Sequence, residues 1–562
     1  MSMAIIKRLL IGAFFVFTAV VATADERVTP GIATAHPLAT AAGMEILDQG
    51  GNAFDAAVAV SAVLAVVEPY SSGLGGGGFW LLHRASDGFE TMVDGREKAP
   101  LAATADMYLD DNGEVIPGLS IDGALAAGIP GEPAALAHIA KHYGKLPLKA
   151  SLAPAIRLAE TGFPADDIYL KMAGFREQAI KASAAASEIF LPGGKMPRLG
   201  ALITQPELAR TLRLIADKGR AGFYAGETAR KLIAAVSQAG GIWQDKDLRE
   251  YAIVERQPVR GTYRGTNITT AALPSSGGIV LVEMLNQLEA YDLSAMNEAG
   301  QLHHIVEAMR RAYRDRAEYL GDSDFVEVPQ TMLLDKRYAA GLRQSIHPDK
   351  ATPSAMLAPT VRETSQGRHT THFSIIDGEG NRVAATLSIN YPFGSGFVAA
   401  GTGVLLNDEM DDFAARPGTP NVYGLVGARA NAIEPGKRML SSMTPTFLEN
   451  KQRIAVVGTP GGSRIITMVL LATLAFDQAA SAAEIVAMPR FHHQYLPDAI
   501  QLEPGSIDAT TKKELEAMGH KLQQMDNSYG NMQVVIFDKS SQKTDAASDP
   551  RGIGKAVVGA EE

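Results

Sequence analysis

The sequence predicts a mixed α/β unit in which strands lie sandwiched between helical layers, and three observations carry that expectation. A long apolar run, Ala53 to Val67, follows the capping residue Asn52. Two hairpin patterns come after residue 370, each built around a short polar turn. Helical stretches precede and follow them, with no internal repeat along the chain.

Taken in order, the amino terminus reads as a leader. Lys7-Arg8 precede thirteen mostly apolar residues, Leu9 to Val21, and Ala22-Thr23-Ala24 has the small-x-small form of a signal peptidase site. Thirteen helical residues rise only ~20 Å against a hydrocarbon core of ~30 Å, so no stable membrane span is expected. Residues 1–24 are therefore expected to be a signal peptide, and the mature chain from Asp25 to be periplasmic or secreted.

From Asp25 to about Lys98 the pattern is helix, helix, strand, strand. Asn52 can cap the second helix, and Ala56, Ala57, Ala59, Ala62 and Ala65 suit close packing in a buried setting. The run Gly73-Leu74-Gly75-Gly76-Gly77-Gly78 formally satisfies GxGxxG. It leads into Phe79-Trp80-Leu81-Leu82-His83, a strand, so the helix amino terminus that a dinucleotide phosphate needs is absent. The middle, about Leu101 to Ser345, reads as mostly helical, with helices near 132–143, 152–160, 207–218 and 227–239. A further helix, Leu302 to Tyr319, carries His303, His304, Arg310, Arg311, Arg314 and Arg316. Its Glu307/Arg311 and Arg314/Glu318 pairs at i,i+4 predict a solvated or interface helix. His303 and His304 project about 100° apart and do not readily share a metal.

Between Pro348 and His369 the chain turns polar, as an exposed linker would. Strands follow at Thr371 to Ile376 and Arg382 to Asn390 around Asp377-Gly378-Glu379-Gly380-Asn381, then at Thr444 to Leu448 and Ile454 to Gly458. Helices near 464–476 and 482–488 complete the unit.

Composition narrows the function. Loss of Lys7 and Arg8 takes the formal charge from -10 to -12, with no basic block, which argues against a nucleic-acid partner. The chain has no cysteine, which excludes disulfides, thiolate metal sites and a cysteine nucleophile.

The chemistry centres on Thr370, at the junction of linker and strand. A cut between His369 and Thr370 would leave a threonine whose own α-amine, with an unperturbed pKa of ~7.7–8.0, serves as base for its hydroxyl. Gly394-Ser395-Gly396 lacks the GxSxG frame, so no serine triad competes. Thr386, Ser388 and Asn390 share one face of the neighbouring strand; in isolation they read as a solvent face. Gly461-Gly462 before a helix can present bare N–H groups to an oxyanion. Glu409, Asp411 and Asp412 suit an ammonium, Arg96 offers a fork to a carboxylate, and Ser441 and Ser442 add hydroxyl donors. A group bearing both charges is an amino acid. Alone, each of these residues reads as a surface ion-pair partner or a cap; with Thr370 they read as a site. No metal or organic cofactor is required, since nucleophile, base and anion stabiliser all come from the polypeptide.

Across essentially the whole mature chain the sequence resembles the γ-glutamyltransferase (glutathione hydrolase) family of amino-terminal-nucleophile hydrolases. The motifs are Gly75-Gly76-Gly77-Gly78-Phe79, Asp94-Gly95-Arg96-Glu97, Pro274-Ser275-Ser276-Gly277-Gly278, Tyr319-Leu320-Gly321-Asp322 and Thr370-Thr371-His372-Phe373-Ser374. Asp411-Asp412-Phe413, Ser441-Ser442-Met443, Pro460-Gly461-Gly462-Ser463-Arg464, Arg490-Phe491-His492-His493 and Ser548-Asp549-Pro550-Arg551 complete the set. The resemblance implies a four-layer αββα fold and a precursor that cleaves itself before Thr370. Residues 25–369 would form a large subunit and 370–562 a small one, paired as a heterodimer. It implies that Thr370 attacks glutathione and other γ-glutamyl compounds, passing the acyl group to water or to an amino acid or dipeptide acceptor. Ser388 would orient the nucleophile, and Gly461 and Gly462 would be the oxyanion donors. Arg96 and Ser441, with Ser442, would hold the α-carboxylate; Asn390, Glu409 and Asp412 would hold the α-ammonium. Residues 416–434, with Pro417, Pro420, Asn421, Tyr423 and Gly424, resemble the lid of bacterial members. Two rivals remain: a β-lactam side-chain acylase of the same fold, and a secreted binding or scaffold protein without activity.

Overall fold

The computed structural model describes residues 28–357, 370–416 and 418–560. The expected signal peptide, His369 of the expected cleavage site and Pro417 of the lid stretch lie outside the described residues.

Two antiparallel sheets form the centre. Their strands are β1 (Gly31–Thr34), β2 (Gly77–Arg84), β3 (Phe89–Gly95), β4 (Val254–Arg256), β5 (Val259–Tyr263), β6 (Thr266–Thr270), β7 (Thr371–Ile376), β8 (Arg382–Ser388), β9 (Thr446–Glu449), β10 (Arg453–Gly458), β11 (Gln533–Asp538), β12 (Lys543–Ser548) and β13 (Lys555–Val558). The seven-stranded sheet runs β13-β1-β7-β8-β2-β3-β4, and the six-stranded sheet β12-β11-β10-β9-β6-β5. The sheets pack face to face, with β7 and β8 lying against β10. Helices α1 (Pro37–Asp48) and α2 (Ala53–Val67) cover the first sheet. Helices α3 (Gly277–Leu288) and α5 (Ile465–Asp477) cover the second, with α4 (Glu298–Tyr319) packed outside α3. The result is the four-layer αββα order.

Period-two geometry explains why these strands show so little polar alternation. Phe79 and Leu81 of β2 join the core between the sheets, while Trp80 and Leu82 face α2. Both faces are buried, so both sets are apolar. All of α2 is buried; its capping box between Asn52 and Asp55, a feature that contributes about 1 kcal/mol, holds its first turn. Asp377 in the β7–β8 turn accepts the Ala53 N–H at 2.8 Å, tying the hairpin to the start of α2. The glycine run enters β2 because backbone approaches backbone there: a Cβ on Gly76 would lie 2.1 Å from the Ser388 carbonyl oxygen.

Several expectations need correction. The amino-terminal segment opens with a strand, β1, before its helices, and it pairs with β7 and β13. The mostly helical middle contains β4, β5 and β6, of which β5 and β6 form one edge of the second sheet. The row Thr386, Ser388, Asn390 is not a solvent face: every residue of β8 is buried, and Thr386 Oγ1 meets His372 Nδ1 at 2.8 Å between the sheets. Burial pulls the His372 pKa down to about 3, so the ring is neutral. The arginine-rich helix is not solvated either; Arg310, Arg311 and Arg316 are all buried. Its charged pattern comes from bonds made inward, among them Arg311 Nη1 to Glu307 Oε2 at 2.6 Å. Among the described residues no helix is long and apolar enough to cross a membrane.

Candidate active site

Thr370 immediately precedes β7, at the strand end nearest the Gly461–Gly462 turn that enters α5. It is 7 % exposed and lines two hollows at once. One is a small pocket of about 20 Å³, also lined by Arg96, Ser388, Asn390, Glu409, Asp412, Tyr423, Ser441, Ser442 and Gly462. The other is an open cleft of about 510 Å³ whose wall includes Gly461, Glu68 and Tyr391. In the small pocket alone, residues from six separate stretches of chain thus converge beside one hydroxyl. Of the side chains anticipated for the site, all but Asp411 line the small pocket, and the anticipated Gly461 faces the cleft. Asp411 is turned aside, accepting from Ser120 Oγ at 2.7 Å and from the Val422 N–H at 2.9 Å.

Charge in the small pocket is crowded. Arg96, 1 % exposed, donates to Glu409 Oε2 at 2.6 Å and to Asp412 Oδ2 at 2.5 Å. Glu97, fully buried, lies 3.8 Å from the same guanidinium. Three carboxyls around one cation do not all ionise easily. Burial pushes the Glu409 carboxyl up to about 7, with Asp412 adding to the shift and Arg96 opposing it. Burial and the Glu409 charge drive Glu97 well above the carboxylate range. A substrate ammonium would be welcomed by this surplus of carboxyl groups.

Backbone and hydroxyl donors complete the wall. Gly461 and Gly462 adopt φ of +145° and +57°, and their N–H groups have no acceptor among the described residues, as an oxyanion site needs. A Cβ on Gly462 would come within 2.5 Å of the Tyr423 ring, so glycine is required where the lid lies over the turn. Tyr423 donates its hydroxyl to the Asn390 carbonyl at 2.7 Å, and Asn421 Nδ2 donates to Asp412 Oδ1 at 3.0 Å. Asn421 and Tyr423 thus cover the small pocket. A space of about 20 Å³ holds roughly one water, so anything larger needs these two hydrogen bonds to release.

Sequence reasoning placed Asn421 in the lid stretch without a partner and gave Ser276 and Arg316 no role at the site. The Ser276 N–H and Oγ both donate to the Ser441 carbonyl, at 2.8 and 2.6 Å, and Arg316 reaches Ser442. A signal for Arg316 existed: it continues the spacing of Ile305, Met309 and Ala312, placing a cation on the apolar face of α4. Elsewhere, His303, Glu307 and His520 cluster with candidate metal-ligand atoms within 4.8 Å. Glu307 is already bonded by Arg310 at 3.2 Å and Arg311 at 2.6 Å, and two guanidiniums oppose a bound cation. That cluster is read as structural.

Comparison with known proteins agrees with this geometry. A family model described as Gamma-glutamyltranspeptidase matches residues 39–559. The "Glutathione hydrolase proenzyme" of Pseudomonas sp. (strain A14) is 46% identical over 499 residues, covering 87% of this chain and 86% of its own. Among solved structures, cephalosporin acylase from Bacillus halodurans superposes with a TM-score of 0.82 at 28% identity, covering 94% of this chain and 96% of that one. Helicobacter pylori gamma-glutamyltranspeptidase superposes with a TM-score of 0.56 at 41% identity, covering 58% of this chain and 93% of that one.

Proposed function

The chain belongs to the gamma-glutamyltranspeptidase family, and from that premise we propose a self-processing γ-glutamyltransferase and glutathione hydrolase whose nucleophile is Thr370. The observation that carries the reading is the small pocket, where Arg96, Glu409, Asp412 and Asn390 gather within one wall of Thr370 under Asn421 and Tyr423. In the precursor, the Thr370 hydroxyl attacks the His369 carbonyl, and the resulting ester is hydrolysed to give subunits 25–369 and 370–562. The freed α-amine then takes the hydroxyl proton as Thr370 Oγ1 attacks a γ-glutamyl amide. The N–H groups of Gly461 and Gly462 hold the oxyanion. The leaving amine takes the proton and departs through the open cleft; water or an amine acceptor then attacks the ester, and glutamate or a new γ-glutamyl amide leaves. Ser388 orients the nucleophile. On substrate entry Arg96 exchanges its carboxylate partners for the substrate α-carboxylate, while Glu409 and Asp412, with Asn390, take the α-ammonium. Localisation in the periplasm or outside the cell belongs to the same proposal, supported by the leader pattern of residues 1–24.

An acylase reading is favoured by the solved structure named above but not by the pocket's chemistry. An acyl group without an ammonium would leave Glu409 and Asp412 buried with one cation between them. Comparison of γ-glutamyl-4-nitroanilide with glutaryl-4-nitroanilide tests this. The glutaryl compound should be turned over about a thousandfold less efficiently; equal kcat/KM would overturn the assignment.

A pH dependence follows from Glu409. Below about pH 7 the empty pocket holds a proton there, and binding an ammonium must expel it. Donor affinity therefore falls as pH drops through 7, by up to about tenfold per unit, and levels off above it. The inhibition constant of L-glutamate, measured from pH 5 to 8, should follow this curve. In Glu409→Gln it should be flat and weak.

A further inference from the structure

Arg316 sits in the last turn of α4, 4 % exposed, and its recorded partners are uncharged. Nε donates to Ser276 Oγ at 2.9 Å and Nη2 to Ser442 Oγ at 3.2 Å. Among the described residues no carboxylate forms an ion pair with it. Burial pulls its pKa down, and Asp412 is near enough to oppose that shift. Such a charge is costly to leave unpaired inside a protein.

A guanidinium only donates, so its bond to Ser442 occupies a lone pair of the hydroxyl and leaves the hydroxyl hydrogen to point elsewhere. Ser442 lines the small pocket, and no described residue accepts from it. Ser441 is treated alike: its Oγ accepts the Met443 N–H at 3.1 Å. Two hydroxyl hydrogens are thereby free to serve the pocket beside a cation with which no described carboxylate forms an ion pair. Arg96 differs, being neutralised by Glu409 and Asp412.

Resting on the reading of this pocket as a γ-glutamyl head site, we propose that Arg316 is a positioning residue that fixes Ser442 as a donor and supplies a positive charge, held in no ion pair, that is met by the substrate's α-carboxylate. An incoming carboxylate then accepts from Ser442 and relieves the buried charge behind it. Arg96 need not carry the anion alone.

The test compares γ-glutamyl-4-nitroanilide with 4-aminobutyryl-4-nitroanilide, which keeps the amine and lacks the α-carboxylate. Arg316→Met should raise KM for the first donor about 30-fold with kcat within about threefold, and shift KM for the second by less than about twofold. Arg316→Lys keeps the charge but loses the fork, and should give an intermediate change in the ratio of the two KM values. In a Ser442→Ala background Arg316→Lys should add less than about twofold, because the relay atom is gone. Chain processing on a denaturing gel reports folding. If Arg316→Met stays uncleaved, Arg316→Lys decides by the same ratio. A ratio unchanged from wild type in the processed Arg316 variants overturns the inference. If the wild type handles both donors alike, the head-site reading itself fails, and this inference with it.

Discussion

Thr370→Ala should leave the protein as one uncleaved chain and remove γ-glutamyl hydrolysis by on the order of 10⁵–10⁶-fold. Both losses have one cause. The same hydroxyl is assigned the attack on the His369 carbonyl and the attack on substrate, so no other group rescues either step. Thr370→Ser, which keeps a hydroxyl on the same backbone, should still cleave, more slowly. Intact-mass analysis distinguishes the outcomes: wild type gives a fragment beginning at Thr370, and the alanine variant does not. A cleaved or active Thr370→Ala protein would exclude the mechanism. In processed wild type, kcat should rise with pH through about 7.7–8.0 as the α-amine loses its proton. That limb is separable from the Glu409 limb, which appears in affinity.

Arg96→Gln should lower kcat/KM for γ-glutamyl donors by about 10²–10³-fold, chiefly through KM, and destabilise the fold by about 3–5 kcal/mol. Arg96 is buried between Glu409 and Asp412, so removing its charge strands two carboxylates as well as the substrate's own. Arg96→Lys recovers little, because one ammonium does not replace the two-pronged geometry seen here. Steady-state kinetics with a parallel thermal melt checks both effects; an unchanged KM would remove Arg96 from the head site.

Local signals made much of this protein legible. Asn52 and the alanine spacing located α2, and the polar turn at 377–381 located the β7–β8 hairpin with its register of Ile376 opposite Arg382. What escaped was decided by distance along the chain. β1 is a four-residue segment whose strand state depends on pairing with β7 and β13, more than three hundred residues away in sequence. The arginines of α4 looked solvent-facing because i,i+4 pairing is the same in a solvated helix and in a buried network; only packing against residues such as Ser345 and Ser354 distinguishes them.

The sequence by itself determined which chemical groups this protein can bring to a site: a threonine at a linker–strand junction, paired glycines before a helix, arginines and several carboxyls, and no cysteine. Tertiary structure alone decided that these groups share a pocket, that Arg96 is held by the acids Glu409 and Asp412, and that Arg316 stands behind Ser442 without an ion-pair partner among the described residues. The reason is physical: residue type and local spacing fix what a group can donate, accept or ionise. Burial and the neighbours brought by folding set whether it is charged and where its hydrogen points.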